Sequence, residues 1–194
     1  MTKFILHGGS DKESPEAMRS FFNEILDGYN LKSALPVTVL IVCFARYEND
    51  WVSTFEKYKN RYRNLFNNLS FDFVLADSDR KKFIKQIKNS QIIHFCGGGE
   101  PSIKKYIKKD EDIESYLSGK VVVGTSAGAN IFSQYYYSND RKKIEKGLGI
   151  LPLKTICHYS AEKEINLKKL QKFGRDKNLI TCPIKEDEFV VFFN

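Results

Sequence analysis

Long apolar runs, a Cys-x-x-Cys pair and a glycine-rich nucleotide fingerprint are all missing from this 194-residue chain. Its longest apolar stretch, Val37 to Ala45, is far short of the ~20 residues that a membrane helix needs. The apolar core within Met1 to Gly9 is too short for a signal peptide. Both absences point to the cytoplasm and away from a membrane partner. The four cysteines, Cys43, Cys96, Cys157 and Cys182, each sit in or beside an apolar, strand-like run. None is spaced for zinc or for redox exchange. Reduced, buried thiols are therefore expected, and neither a metal nor another cofactor is implied. The chain also lacks an Arg-rich tail and a basic run interleaved with aromatics. Its formal charge of +7 is mostly lysine, spread over helices that also carry acids. Solvated helix faces account for that better than a nucleic-acid partner does.

What is present is enough for one well-packed domain over residues 1–194, and too little for a second core. Lys3 to His7 reads as a first strand, ended by Gly8-Gly9-Ser10. Ser14-Pro15 starts a helix whose Met18, Phe21, Phe22, Ile25 and Leu26 share one face, and Gly28 is its natural stop. Val37 to Phe44 is a nearly continuous apolar, β-branched run, as a central parallel strand covered on both faces should be. A long helix follows, with Trp51, Phe55, Tyr58, Tyr62, Leu65 and Phe66 on one stripe. Helical spacing makes that stripe core packing. Phe71 to Ala76 is a third strand, and Ser78 or Asp79 caps a helix carrying Phe83, Ile84 and Ile87. Gln91 to Cys96 is a fourth strand, running into Gly97-Gly98-Gly99. Helical pieces are expected over Pro101 to Lys108 and Asp110 to Leu117, then a fifth strand over Lys120 to Val123. Further on come a strand near Thr155 to His158, a helix with Leu167, Leu170 and Phe173, and strands at Asn178–Cys182 and Phe189–Phe193. Strands alternating with helices specify an α/β fold, three layers around a doubly wound, mostly parallel sheet. Such sheets bind ligands beyond the carboxyl ends of their strands, where Gly97–Gly99 and Gly124–Gly128 both lie.

Gly124-Thr125-Ser126-Ala127-Gly128 is a G-x-S-x-G turn between an apolar strand and a helix start. Its serine would sit at a tight corner with the hydroxyl exposed. The following N–H groups would lie at a positive helix N-terminus, which suits a nucleophile whose attack creates an oxyanion. A small-residue turn that only lets a helix pack on a strand has the same composition, so the context must decide.

A nucleophilic serine needs a base, and the base needs an orienting acid. Of the three histidines, His94 lies inside an apolar strand and reads as a core residue. His7 ends the first strand. His158 follows Ile156-Cys157 at a strand end and is the preferred base. Because neighbours on a strand face opposite ways, Cys157 then points into the core and is not the nucleophile. For the acid the residues leave two choices, Asp140 and the cluster Glu186-Asp187-Glu188. Gly97–Gly99 lacks both nucleotide-binding patterns. An amide from that loop, with the amide of Ala127, would make a two-donor oxyanion hole.

The ordered set Cys96-Gly97-Gly98-Gly99, Val123 to Asn130, Gly147-Leu148-Gly149-Ile150-Leu151-Pro152 and His158 resembles the dipeptidase E and cyanophycinase family of serine peptidases. The similarity runs over most of the chain. It implies a class I glutamine amidotransferase-like fold and a Ser-His-Glu triad. Ser126 matches the nucleophile and His158 the base. Glu188, just before the last strand, matches the glutamate and displaces Asp140 as first choice. Gly98 or Gly99 and Ala127 match the oxyanion donors. Two departures bear on specificity. Glu100-Pro101 stands where the family usually has Asn-Thr, and Gln134 to Tyr137 lacks the arginine of the aspartate-selective dipeptidases.

The expected function is thus a serine peptidase acting on small peptides, with no cofactor, no nucleic acid and no membrane. Exposed edge strands offer a surface for a homodimer. A cysteine-dependent glutamine amidotransferase of the same fold is disfavoured by serine at the elbow. A non-catalytic binding domain would hold His158 far from Ser126.

Overall fold

Val37–Val42 packs both its faces into the core, as its nearly continuous apolar run requires, with Val39, Leu40 and Ile41 fully buried. The computed structural model describes residues 1–9, 14–27, 36–66, 69–99, 103–107, 113–174 and 179–194. The helix stop expected at Gly28, the helix ends at Pro101, Lys108 and Asp110, the strand start at Asn178, and Glu100 lie outside them.

In chain order the elements are β1 (Lys3–His7), α1 (Pro15–Leu26), β2 (Val37–Val42), α2 (Trp51–Leu65), β3 (Phe71–Leu75), α3 (Arg80–Asn89) and β4 (Ile92–Phe95). Next come α4 (Ile103–Tyr106), α5 (Ile113–Leu117), β5 (Val121–Thr125), α6 (Ala127–Asn130), β6 (Ser133–Ser138), β7 (Lys143–Lys146) and β8 (Leu151–Tyr159). The chain ends with α7 (Glu164–Lys172), β9 (Ile180–Lys185) and β10 (Phe189–Phe193). The predicted local signals are used as read. Ser14 accepts the Ala17 N–H at the head of α1, with Pro15 in its first turn, and Asp79 accepts the Lys82 N–H at the head of α3. Phe21, Phe22, Ile25 and Leu26 of α1 are buried, as are Trp51, Tyr58 and Tyr62 of α2.

The described strands form two sheets. The first has the order β10-β1-β5-β4-β2-β3 and is parallel except for β10. The helix α1 packs with α2, and α3 with α5. From β2 the chain winds outward to β3, then back through β4 to β5. The direction reverses between β2 and β4, so the loops leaving their carboxyl ends diverge and open a crevice.

The second sheet corrects the expectation of a single one. Its order is β7-β6-β8-β9, with β6 and β7 antiparallel and the rest parallel. The helix after the elbow is only four residues long. Gln134 to Tyr137 lies within a strand of the β6–β7 hairpin, turned at Asn139 to Lys142, where Lys142 has φ 52°. Consecutive tyrosines favour a pleated, half-buried strand, and Ser138-Asn139-Asp140 is turn chemistry. Polar contacts tie α6 to the second sheet. Thr155 Oγ1 donates to Asn130 Oδ1 at 2.8 Å and lies 3.1 Å from Ser133 Oγ. Among the described residues no helix is long and apolar enough to cross a membrane.

His94 is the core histidine that its apolar strand implied. It is fully buried, with Nδ1 3.1 Å from Tyr62 Oη and Nε2 3.2 Å from Thr125 Oγ1. Burial lowers its pKa to about 3, so the ring is neutral and its two nitrogens are used by neighbours. Tyr62→Phe removes one of those partners while keeping the aromatic packing. It is expected to lower the unfolding free energy by about 1–3 kcal/mol, the cost of an unpaired buried polar group. A urea titration checks this, the midpoint falling with the slope unchanged.

Candidate active site

The register of the first sheet brings the corner together. Leu6 and Phe95 both pair with Gly124, so the residues that follow β1 and β4 flank those that follow β5. Ser126 stands at the corner between β5 and α6 with φ 53° and ψ −114°, a conformation costing a non-glycine residue about 1–3 kcal/mol. The flanking glycines are required sterically. A Cβ on Gly124 would come within 2.5 Å of the Gly128 carbonyl oxygen, and one on Gly128 within 2.2 Å of the Phe95 carbonyl oxygen. The Ser126 N–H donates to the His7 carbonyl at 2.9 Å.

His158 reaches the serine from the second sheet. It has φ 52°, and the β8–β9 register shifts between Cys157 and Tyr159. Its N–H donates to the Gly8 carbonyl at 3.0 Å, and Lys163 Nζ donates to its carbonyl. Ser126 Oγ lies 2.9 Å from His158 Nε2, and Glu186 Oε1 lies 3.0 Å from His158 Nδ1. Cys157 points the other way. It is buried, with Sγ 3.2 Å from Asn130 Oδ1, and burial pushes its thiol up to about 12.

The acid at the imidazole is Glu186, where Glu188 was expected. Glu188 Oε1 instead lies 3.0 Å from Lys185 Nζ. The cause is the turn between β9 and β10, closed by the Glu188 N–H on the Lys185 carbonyl at 3.3 Å, with Asp187 at φ 62°. Reversal over four residues brings Glu188 back beside Lys185 and leaves Glu186 on the side of His158. Asp140, the alternative acid, stands beside Gly99, where a Cβ would come within 2.8 Å of its Oδ2.

His7, the other histidine, is 1% exposed and takes the Gly9 N–H on Nδ1 at 3.0 Å. The glycine loop after β4 packs on the same corner. A Cβ on Gly97 would be 3.1 Å from Ser126 Cβ, and the Arg46 Nε–H donates to the Gly97 carbonyl at 2.7 Å. Gly98 and Gly99 line the cleft with Ala127.

That cleft has a volume of about 730 Å³ and lies over Ser126, at the reversal of the sheet. The sequence reading missed most of its walls. Ser53, Thr54, Lys57 and Arg61 line it from α2, beside Tyr58 of the aromatic stripe, over whose ring Arg61 lies at 5.4 Å. Polar residues at i, i+1, i+4 and i+8 were the available signal. The hairpin supplies Tyr136, Arg141 and Glu145. Partial burial disfavours the Glu145 carboxylate, but bonds from Tyr136, Arg141 and Lys143 outweigh it and lower the pKa to about 2. Among the described residues no cluster of His, Cys, Asp and Glu is arranged to hold a metal ion.

A serine hydroxyl on one imidazole nitrogen and a carboxylate on the other is an arrangement for proton transfer during nucleophilic attack. Known proteins share the fold that carries it. A crystal structure of a peptidase from an acI-B1 actinobacterium is similar, with a TM-score of 0.64 and 21% identity, covering 99% of this chain and 83% of that one. So is a provisional peptidase E from Listeria monocytogenes EGD-e, with a TM-score of 0.63 and 18% identity, covering 99% of this chain and 94% of that one. These likenesses establish the fold. No curated protein matches the chain in sequence. The family comparison matches residues 4–194 to peptidase family S51. The chain therefore belongs to peptidase family S51, the dipeptidase E family of serine peptidases.

Proposed function

We propose that the protein hydrolyses short peptides through a Ser126-His158-Glu186 triad. The observation that carries this is the continuous chain of contacts from Ser126 Oγ through His158 to Glu186, at 2.9 and 3.0 Å. Ser126 Oγ attacks the scissile carbonyl as His158 Nε2 takes its proton. The same nitrogen then returns that proton to the leaving amine. Glu186 holds the proton on Nδ1 and stabilises the imidazolium. Ala127 is the first residue of α6, so its N–H has no acceptor within the helix. With an amide from Gly98 or Gly99 it forms the oxyanion hole of this reading. Water then releases the acyl group by the same proton path.

The order of the strands and the nucleophile after β5 support the finer assignment to a class I glutamine amidotransferase-like fold. The free cysteines support a cytoplasmic setting. Serine at the elbow and the buried Cys157 disfavour a cysteine amidotransferase. The 2.9 Å contact between Ser126 and His158 disfavours a domain that has lost catalysis.

Ser126→Ala is expected to abolish both dipeptide and tripeptide hydrolysis and labelling by a serine-directed phosphonate. Persistent labelling would refute the nucleophile. Glu186→Gln should lower kcat by about 10²–10⁴-fold, whereas Glu188→Gln, which loses only an exposed ion pair, should change kcat/KM by less than about twofold. The opposite ranking would return the acid to Glu188. Cys157→Ala should keep its activity, and in the folded wild type the Cys157 thiol should resist alkylation at pH 8.

A further inference from the structure

We propose that His7 is a positioning residue for this site, acting through an Nδ1 lone pair that accepts the Gly9 N–H and so fixes the backbone corner on which His158 is seated. The inference rests on the reading of Ser126 and His158 as nucleophile and base. The contact is 3.0 Å long and spans two residues. It is the bond that an Asn or Asp side chain makes when it accepts the N–H two residues on. Here an imidazole makes it at the carboxyl end of β1.

Gly9 has φ +93°, and a Cβ on it would come 2.5 Å from His158 Cε1, 2.6 Å from Nε2 and 3.1 Å from Ser126 Cβ. The bare Cα of Gly9 is thus a wall of the catalytic pair, and any drift of the corner moves the imidazole. Three successive carbonyls of the same corner hold the site. That of His7 accepts the Ser126 N–H, that of Gly8 the His158 N–H, and that of Gly9 the Asp187 N–H. The Gly8 N–H donates to Glu188, at the far end of the turn that carries Glu186. Ser126, His158 and the turn that carries Glu186 are therefore tied to residues 7–9, and the His7 ring is the internal brace of that segment.

The ring can serve only while Nδ1 carries no proton, because two donors would otherwise face each other. It is packed against Phe21, with ring centres 4.4 Å apart. Burial lowers its pKa to about 4, the Arg61 and His158 charges act in the same direction, and Asp187 opposes them. At neutral pH the ring is neutral, with its proton on Nε2.

The test separates the acceptor from the packing. His7→Asn keeps an acceptor for the Gly9 N–H and loses the contact with Phe21. His7→Leu keeps buried apolar volume and loses the acceptor. His7→Leu is expected to lower kcat by about 10²-fold, the scale of a 1 Å misplacement. Its KM should change by less than about twofold, because substrate binding is not touched. His7→Asn is expected to keep kcat within about threefold while melting at a lower temperature. Wild-type kcat in His7→Leu, or an equal loss in folded His7→Asn, would overturn the proposal. A second measurement needs neither variant nor turnover. Long-range ¹⁵N–¹H spectra of the wild type at pH 7 should show His7 protonated on Nε2 alone, and a proton on Nδ1 would overturn the proposal. If the wild type cleaves no peptide, the proposed function fails, while the spectra still decide the role of His7 at the corner.

Discussion

Three consecutive carbonyls, those of His7, Gly8 and Gly9, accept the N–H groups of Ser126, His158 and Asp187. The site depends on this short run of backbone, because it joins two sheets that otherwise have separate hydrogen-bond ladders. Ser126 belongs to the first sheet, His158 to the second, and Glu186 to the turn that leads from one to the other. A contact so close needs bare backbone. A Cβ on Gly8 would lie 1.9 Å from the Lys185 carbonyl oxygen, and one on Gly9 would enter the His158 ring. These two glycines are therefore selected by steric exclusion, with the positive φ of Gly9 a further demand.

Three histidines take three roles because their surroundings differ. His94 is buried among aromatic rings and its nitrogens are taken by Tyr62 and Thr125. His7 is buried and braces the corner. Low pKa values keep both neutral. His158 alone opens on the cleft, its side chain 29% exposed and placed between a hydroxyl and a carboxylate. The base of the proposed mechanism, which must gain and lose a proton, needs such a position. The cleft around it is polar, with Lys57 and Arg61 on one wall and the Tyr136–Glu145–Arg141 network on another. That network fixes the hairpin wall by satisfying a partly buried carboxylate.

Much of this was legible in the order of residues. Local physics set the elements: the capped and amphipathic α1 and α3, the doubly buried β2, and the glycine-flanked elbow at Ser126. The alternation of strand and helix set the layered α/β class, and His158 could be chosen over His7 and His94 from its place at a downstream strand end. The expected side of Cys157 also followed from strand alternation, and the buried thiol agrees with it.

Other features needed the folded chain, since they depend on contacts between residues distant in sequence. The choice among Glu186, Asp187 and Glu188 turned on a single reversal, in which a positive φ at Asp187 brought Glu188 back to Lys185. Three adjacent acids are chemically alike, and composition cannot say which one a turn aims inward. The second sheet was hidden because a run of tyrosines and a short hairpin carry weak local signals beside a strong elbow. The roles of Gly8, Gly9 and the polar face of α2 were hidden for a related reason. A glycine shows what it permits only when its neighbours in space are known. Sequence determined which groups were available for the chemistry and the layers that would carry them. Tertiary structure decided which of them meet, because the meeting point lies between two sheets and is set by backbone packing.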